Sequence, residues 1–131
     1  MPSLIPEVLN EPRTHALVIG VSRYLHLEDG DDPTANGTNI PISQLSAAAR
    51  SASEFADWLI PDPAQPEKHY NNPTKSLGSL RVLLSPSPGE QVTPRIQTML
   101  TPDSSTTRAN VEAALAEFIN ACQSNPDNVA I

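Results

Sequence analysis

The chain has 131 residues, 38% of them apolar and 18% charged, enough for one domain with one modest core. Its 15 acidic residues against 8 basic ones give a net charge of −7, which argues against a phosphate-neutralising surface and so against nucleic acid as a partner. Cys122 is the only cysteine, so an internal disulfide and a multi-cysteine metal site are both excluded.

Residues 1–13 form a leader punctuated by Pro2, Pro6 and Pro12. It lacks the charged start and apolar run of a secretory signal, and nothing in the chain approaches the roughly 20 apolar residues of a bilayer span. A cytoplasmic setting without membrane attachment is the expectation. Ala16 to Val21 is a short apolar run rich in β-branched residues, which predicts a strand buried on both faces. The 14 prolines, against roughly 5% in an average chain, demand long loops. Loops are expected over 28–41, which is acidic and rich in Gly, Asn and Pro, over 61–78, and over 86–105.

Between the first two loops, Leu45, Ala48, Ala52, Phe55, Ala56 and Leu59 recur at helical spacing and predict a helix with one apolar stripe. Ser43 is its expected N-cap, and Pro61 stops it. Leu80 to Leu84 reads as a second strand, closed by Pro86 and Pro88. A second helix opens at Thr106 or Thr107 and carries Val111, Ala114, Leu115, Phe118 and Cys122 on its apolar stripe. After Asn125-Pro126-Asp127, residues Asn128 to Ile131 begin a third strand. That run is shorter than the average strand of about five or six residues, so the chain is expected to be cut short.

Strand, helix, strand, helix, strand is the order of an α/β domain with a mainly parallel sheet and flanking helices. Such sheets place their sites at the carboxyl ends of the strands, which brings forward Ser22, Arg23 and Tyr24 after the first strand and Ser85 after the second. No GxxxxGK[ST] is present, and the first strand ends in the single Gly20 rather than GxGxxG, so P-loop and dinucleotide chemistry are absent. The second strand ends in serine and proline, not in the acidic cluster of a receiver domain. His15, His26 and His69 are scattered and read as surface residues, with no metal site among them. Cys122 lies on an apolar stripe and reads as a small hydrophobe.

Thr14 to Tyr24 resembles the opening strand of bacterial caspase-like and metacaspase-like cysteine peptidases, "ALLIGINxY". Leu45 to Leu59 is similar to their first helix, "LxGAxNDAxxmaxxL". Leu80 to Leu84 resembles their second strand, Thr106 to Val111 their "aTxxNi" helix entry, and Asn128 to Ile131 the start of the strand that leads to "GHG". The order and spacing of these pieces over 14–131 carry the resemblance.

The resemblance implies a caspase-like fold represented by its first three strands and two helices. It also implies a cysteine endopeptidase in which a thiolate attacks the peptide carbonyl, a histidine moves the proton and backbone N–H groups hold the oxyanion. Neither the histidine nor the cysteine falls within these residues; both are expected after Ile131. No cofactor is called for. The implied partners are a peptide or protein substrate and the remainder of the peptidase domain, or a second chain that completes the sheet. Bacterial members act as triggered proteases in defence or regulated cell death. The alternative is an inactive caspase-like module that pairs with another chain.

Two positions depart from the family pattern. Ser51, preceded by Arg50, stands where metacaspases carry the aspartate of "NDA", so the acidic pocket for a basic substrate residue is missing from this helix. Arg23, Tyr24, Arg50 and Ser51 are the candidate substrate-pocket residues.

Overall fold

A computed structural model describes residues 1–27, 30 and 43–131. The loop expected over 28–41 lies outside the described residues apart from Gly30. Three strands, β1 (Thr14–Val21), β2 (Leu77–Ser85) and β3 (Val129–Ala130), form a sheet in the order β2-β1-β3. All pairs are parallel, with Ala16 opposite Leu80, Val18 opposite Val82, and Thr14 opposite Val129. The helices are α1 (Ala48–Leu59), α2 (Pro94–Met99) and α3 (Arg108–Gln123). The α/β class expected from the alternation is present.

β1 alternates between two faces, as any strand must. Ala16, Val18 and Gly20 turn toward α1, where they meet Leu80, Val82, Leu84, Ala49, Ala56 and Leu59 in the core. Gly20 is required by the closeness of that packing. A Cβ there would stand 2.5 Å from the Ala52 Cβ and 2.9 Å from the Ala48 carbonyl oxygen. His15 turns to the opposite face, where Arg81 of β2 reaches Glu117 of α3.

The close approach at Gly20 also corrects the expected stripe of α1. A helix this near a strand must present small residues, so Ala49, Ser53 and Ala56 are buried along with Leu59. Phe55 is 42% exposed, and Leu45, 46% exposed, precedes the helix altogether. Ser43 is not the cap. The helix begins after Ala47, which makes no side-chain cap, and its Ala49 N–H is accepted instead by the Ser22 hydroxyl from the end of β1, at 2.9 Å.

The expected loops are more ordered than their prolines suggested. β2 starts at Leu77, inside the segment read as a loop to 78, and is buried along nearly its whole length. A single 3-10 turn, Pro66–Lys68, interrupts the same loop. The 86–105 stretch holds α2, with Pro94 at its first position where no N–H is needed, and a 3-10 turn over Pro102–Ser104. Ile96 anchors α2 in the core, and Arg95 pairs with Asp57 of α1 at 2.7 Å.

The leader is also not a free arm. Leu4 N–H donates to the Leu80 carbonyl at 2.7 Å and Val8 N–H to the Gly78 carbonyl at 2.9 Å, so the segment lies along the outer edge of β2. Of the expected caps for α3, Thr107 serves, its hydroxyl accepting from Asn110 N–H at 3.2 Å. At the other end Asn128 accepts from Arg13 N–H at 2.8 Å and donates to the Ala121 carbonyl at 3.0 Å. One side chain thus ties the end of α3 to the entry of β1. Only Ala114 and Ala121 of α3 are fully buried, so Leu115, 45% exposed, departs from its expected place in the core.

Candidate functional site

The carboxyl ends of β1 and β2 meet the start of α1, and the chain here is tightly cross-linked. The Ser85 carbonyl accepts from both Ser22 N–H, at 2.9 Å, and Arg23 N–H, at 3.0 Å. Ser22 is fully buried. Its hydroxyl donates to Glu90 Oε1 at 2.6 Å while accepting the Ala49 N–H, and its carbonyl accepts the Leu45 N–H at 2.9 Å. The other Glu90 oxygen accepts from Ser87 N–H at 3.4 Å, across a turn in which Gly89 takes a φ of +81°. Ser87 Oγ in turn donates to the Leu45 carbonyl at 2.7 Å.

Above this network opens a cavity of about 500 Å³ lined by Arg23, Gln44, Leu45, Ser46, Ser87 and Glu90. A second, apolar hollow of about 380 Å³ adjoins it, lined by Tyr24, Leu27, Ser43 and Leu45. Gln44 bridges the two by holding the Tyr24 main chain at both ends, accepting its N–H at 2.5 Å and donating to its carbonyl at 2.7 Å. Arg23 and Tyr24 therefore stand at the mouth of the sheet, in neighbouring hollows. Arg50 and Ser51 do not join them. Both lie on the outward side of α1, with Arg50 bonded to Glu54 at 3.0 Å.

Chemically, the site is a polar concavity with one carboxylate, one guanidinium and several amide and hydroxyl groups. Its buried serine, Ser22, is not a free nucleophile. Ser22 has its proton on Glu90 and its lone pair facing a helix N–H, and no solvent reaches it, so it braces the site rather than attacks from it. Cys122 is remote, on α3, and its thiol is pushed up by burial, against a smaller downward pull from Arg81. A thiol so held is not the thiolate that nucleophilic chemistry needs. Among the described residues no group of three or more His, Cys, Asp or Glu is placed to hold a metal ion. None of the described helices is long and apolar enough to cross a membrane.

Two of the histidines were misread from sequence. His15 is fully buried on β1, with Nδ1 2.8 Å from Ser79 Oγ. His69 lies against Asp57 and Asp62, its side chain only 13% exposed. Sequence reading also missed Glu90, the only carboxylate among the described residues that line the larger cavity. The signal available was the Pro88-Gly89-Glu90 turn immediately after β2, since a glycine following a strand end often supplies a positive φ.

Comparison with protein-family models, with curated proteins and with solved structures found no match.

Proposed function

We propose that this chain is the N-terminal part of a caspase-like cysteine endopeptidase whose histidine and cysteine are carried by strands added beside β1, after residue 131. One observation carries the reading: among the described residues, the central strand of the sheet has no partner along part of one side. The even-numbered main chain of β1 serves β2, as Thr14 N–H to Ser76 and Ser22 N–H to Ser85 show. The odd-numbered main chain serves β3, from Arg13 through His15 to Leu17. Past Leu17, no described residue pairs with Ile19 or Val21 on that side. A further strand in that lane would end beside Ser22 and Arg23, and in parallel sheets the residues just past strand ends supply the chemistry. Arg23, Tyr24 and the Glu90 hollow would then border the peptide cleft, in a cytoplasmic protease under the control of a trigger.

The test is to read the gene past the codon for Ile131 and weigh the native protein. A longer product with Gly-His-Gly and a later cysteine, cleaving a peptide library and silenced by changing that cysteine to Ala, is the expected result. A native chain that ends at Ile131 would sink the enzyme reading.

The same open lane favours a second reading. Ile19 is 43% exposed on the central strand, and Leu115 and Ile119 of α3 are exposed by 45% and 43%. As an inactive module, the chain would cover these residues by pairing with another chain. Light scattering after gel filtration of the native protein separates the two readings, since a monodisperse monomer of native length would dismiss the module.

A further inference from the structure

The opposite end of the sheet carries a buried polar cluster that the proposed peptidase reading does not use. Arg81 is only 3% exposed, yet it is a cation in the middle of β2. Its guanidinium donates to Glu7 Oε2 at 2.7 Å, to Glu117 Oε2 at 3.2 Å, to the Met1 carbonyl at 3.2 Å and to Ser79 Oγ at 3.3 Å. Glu7 and Met1 belong to the segment along the edge of β2, and Glu117 belongs to α3. One guanidinium therefore fastens the N-terminal segment to the sheet and to a helix. The Met1 ammonium adds a second tie to α3, donating to Glu117 Oε1 at 2.7 Å, and the segment has few other main-chain ties. Pro2 and Pro6 have no N–H to give, and besides Leu4 and Val8 the edge is met by Ser3, whose Oγ accepts the Leu80 N–H at 2.9 Å.

Ser79 couples this fastening to His15. Arg81 can only donate, so the Ser79 oxygen accepts from it and keeps its hydrogen and a second lone pair for His15 Nδ1. The Nε2 atom is buried and has no partner among the described residues. A second proton on His15 would make both ring nitrogens donors, so two cations would stand against one hydroxyl. It would also place a full charge where nothing solvates it.

We propose that His15, Ser79 and Arg81 form a proton-sensitive latch, in which protonation of His15 loosens Arg81 and frees residues 3–8 from the edge of β2. The charges around the latch come from every packed element. Glu7 and the Met1 ammonium, paired with Glu117 at 2.7 Å, face it from the segment, Arg13 from the entry to β1, where it and the His15 ring both crowd Gly78, and Arg81 from β2. Glu117 and Cys122 stand on α3 on the far side of Arg81.

Burial holds His15 below its ordinary value, with Glu7 pulling it up and Arg81 pushing it further down. The closed latch thus binds its proton more weakly than the open one, and opening takes up a proton. The opening constant therefore rises as pH falls below about 6.5, by at most about tenfold per unit, and levels off once the closed form is protonated too.

Native-state hydrogen exchange tests this directly, with protection factors corrected for the intrinsic rate. Between about pH 7.5 and about pH 5, the Leu4, Val8 and Leu80 amides should lose protection by several-fold or more, while Val18 and Gly20 keep theirs. In His15→Gln, which can still accept from Ser79, that pH dependence should vanish. Protection at Leu4 and Val8 that does not change with pH overturns the proposal, as does a dependence that survives His15→Gln. Should that variant fail to fold, the His15 ring is titrated by nitrogen NMR in the native protein. Its midpoint must then match the pH at which the loss of protection at Leu4 and Val8 levels off, and a mismatch overturns the latch. None of these outcomes depends on peptidase activity, so the latch and the proposed function fail separately.

Discussion

Ser22 joins three parts of the fold through one hydroxyl and one carbonyl: the end of β1, the first turn of α1 and the turn that carries Glu90. Ser22→Ala would leave the Ala49 N–H, which is closed to solvent, and a Glu90 oxygen without their partners. A loss of about 1–2 kcal/mol is expected in urea unfolding, the cost of a lost cap plus an unmet polar group. A change below about 0.5 kcal/mol would show that water replaces the hydroxyl. Two glycines give a sharper contrast. Gly20→Ala drives a methyl into the Ala48 and Ala49 backbone and should cost about 1–3 kcal/mol, because helix and strand must separate. Gly89→Ala meets nothing within 4 Å, so its cost is the positive φ alone, about 1–2 kcal/mol. Both glycines stand out in the sequence, but not the different reasons for them. Ser22 was visible from its place after a strand, whereas its partner Glu90 was not, since 68 residues separate them. Arg81 was unreadable for a related reason: a charge inside an apolar run is buried only when partners from other elements arrive.

At the level of elements, hydrophobic periodicity located β1, β2, α1 and α3 but placed Leu45, Phe55 and Leu115 on covered faces where they are exposed. The stripe of α1 was drawn through Leu45, Ala48, Ala52, Phe55, Ala56 and Leu59, and the sheet buries Ala49, Ser53, Ala56 and Leu59 because Gly20 draws the helix in. Leu59 belongs to both stripes and is fully buried, so Leu59→Ala should cost about 2–5 kcal/mol in chemical denaturation. Leu45, placed in the same stripe by spacing, should cost less than about 0.5 kcal/mol on the same change, as an exposed residue ahead of the helix. Equal losses would restore the sequence-drawn stripe. Short elements escaped periodicity altogether. Six residues of α2 complete fewer than two turns, and Pro94 looks like a breaker although it opens the helix. The leader was equally opaque, because its order comes from the β2 edge and not from any pattern of its own.

For the molecule as a whole, the sheet order β2-β1-β3 makes β1 the middle strand, and a middle strand needs hydrogen bonds along both edges. Its parity provides a test that requires no ligand and no knowledge of the substrate. The amides of Ala16, Val18 and Gly20 point to β2 over its full paired length, and those of Ile19 and Val21 point into the lane past β3. Hydrogen exchange on the 131-residue chain should therefore alternate along β1, slow at 18 and 20 and faster by about tenfold or more at 19 and 21. Side-chain burial alternates with the same parity, Val18 and Gly20 buried and Ile19 exposed, so the deciding reading is the change when the lane is filled. If the lane is filled by another strand, in a longer product or in a complex, protection at Ile19 and Val21 should rise to match their neighbours. The half-exposed Ile19 should become buried in the same step, so Ile19→Asp should weaken that assembly while leaving the β2-facing amides slow. Uniformly slow exchange in the 131-residue chain alone would mean that its own residues already close the lane. The sheet would then be complete, and the case for strands supplied from beyond residue 131 would fall with it.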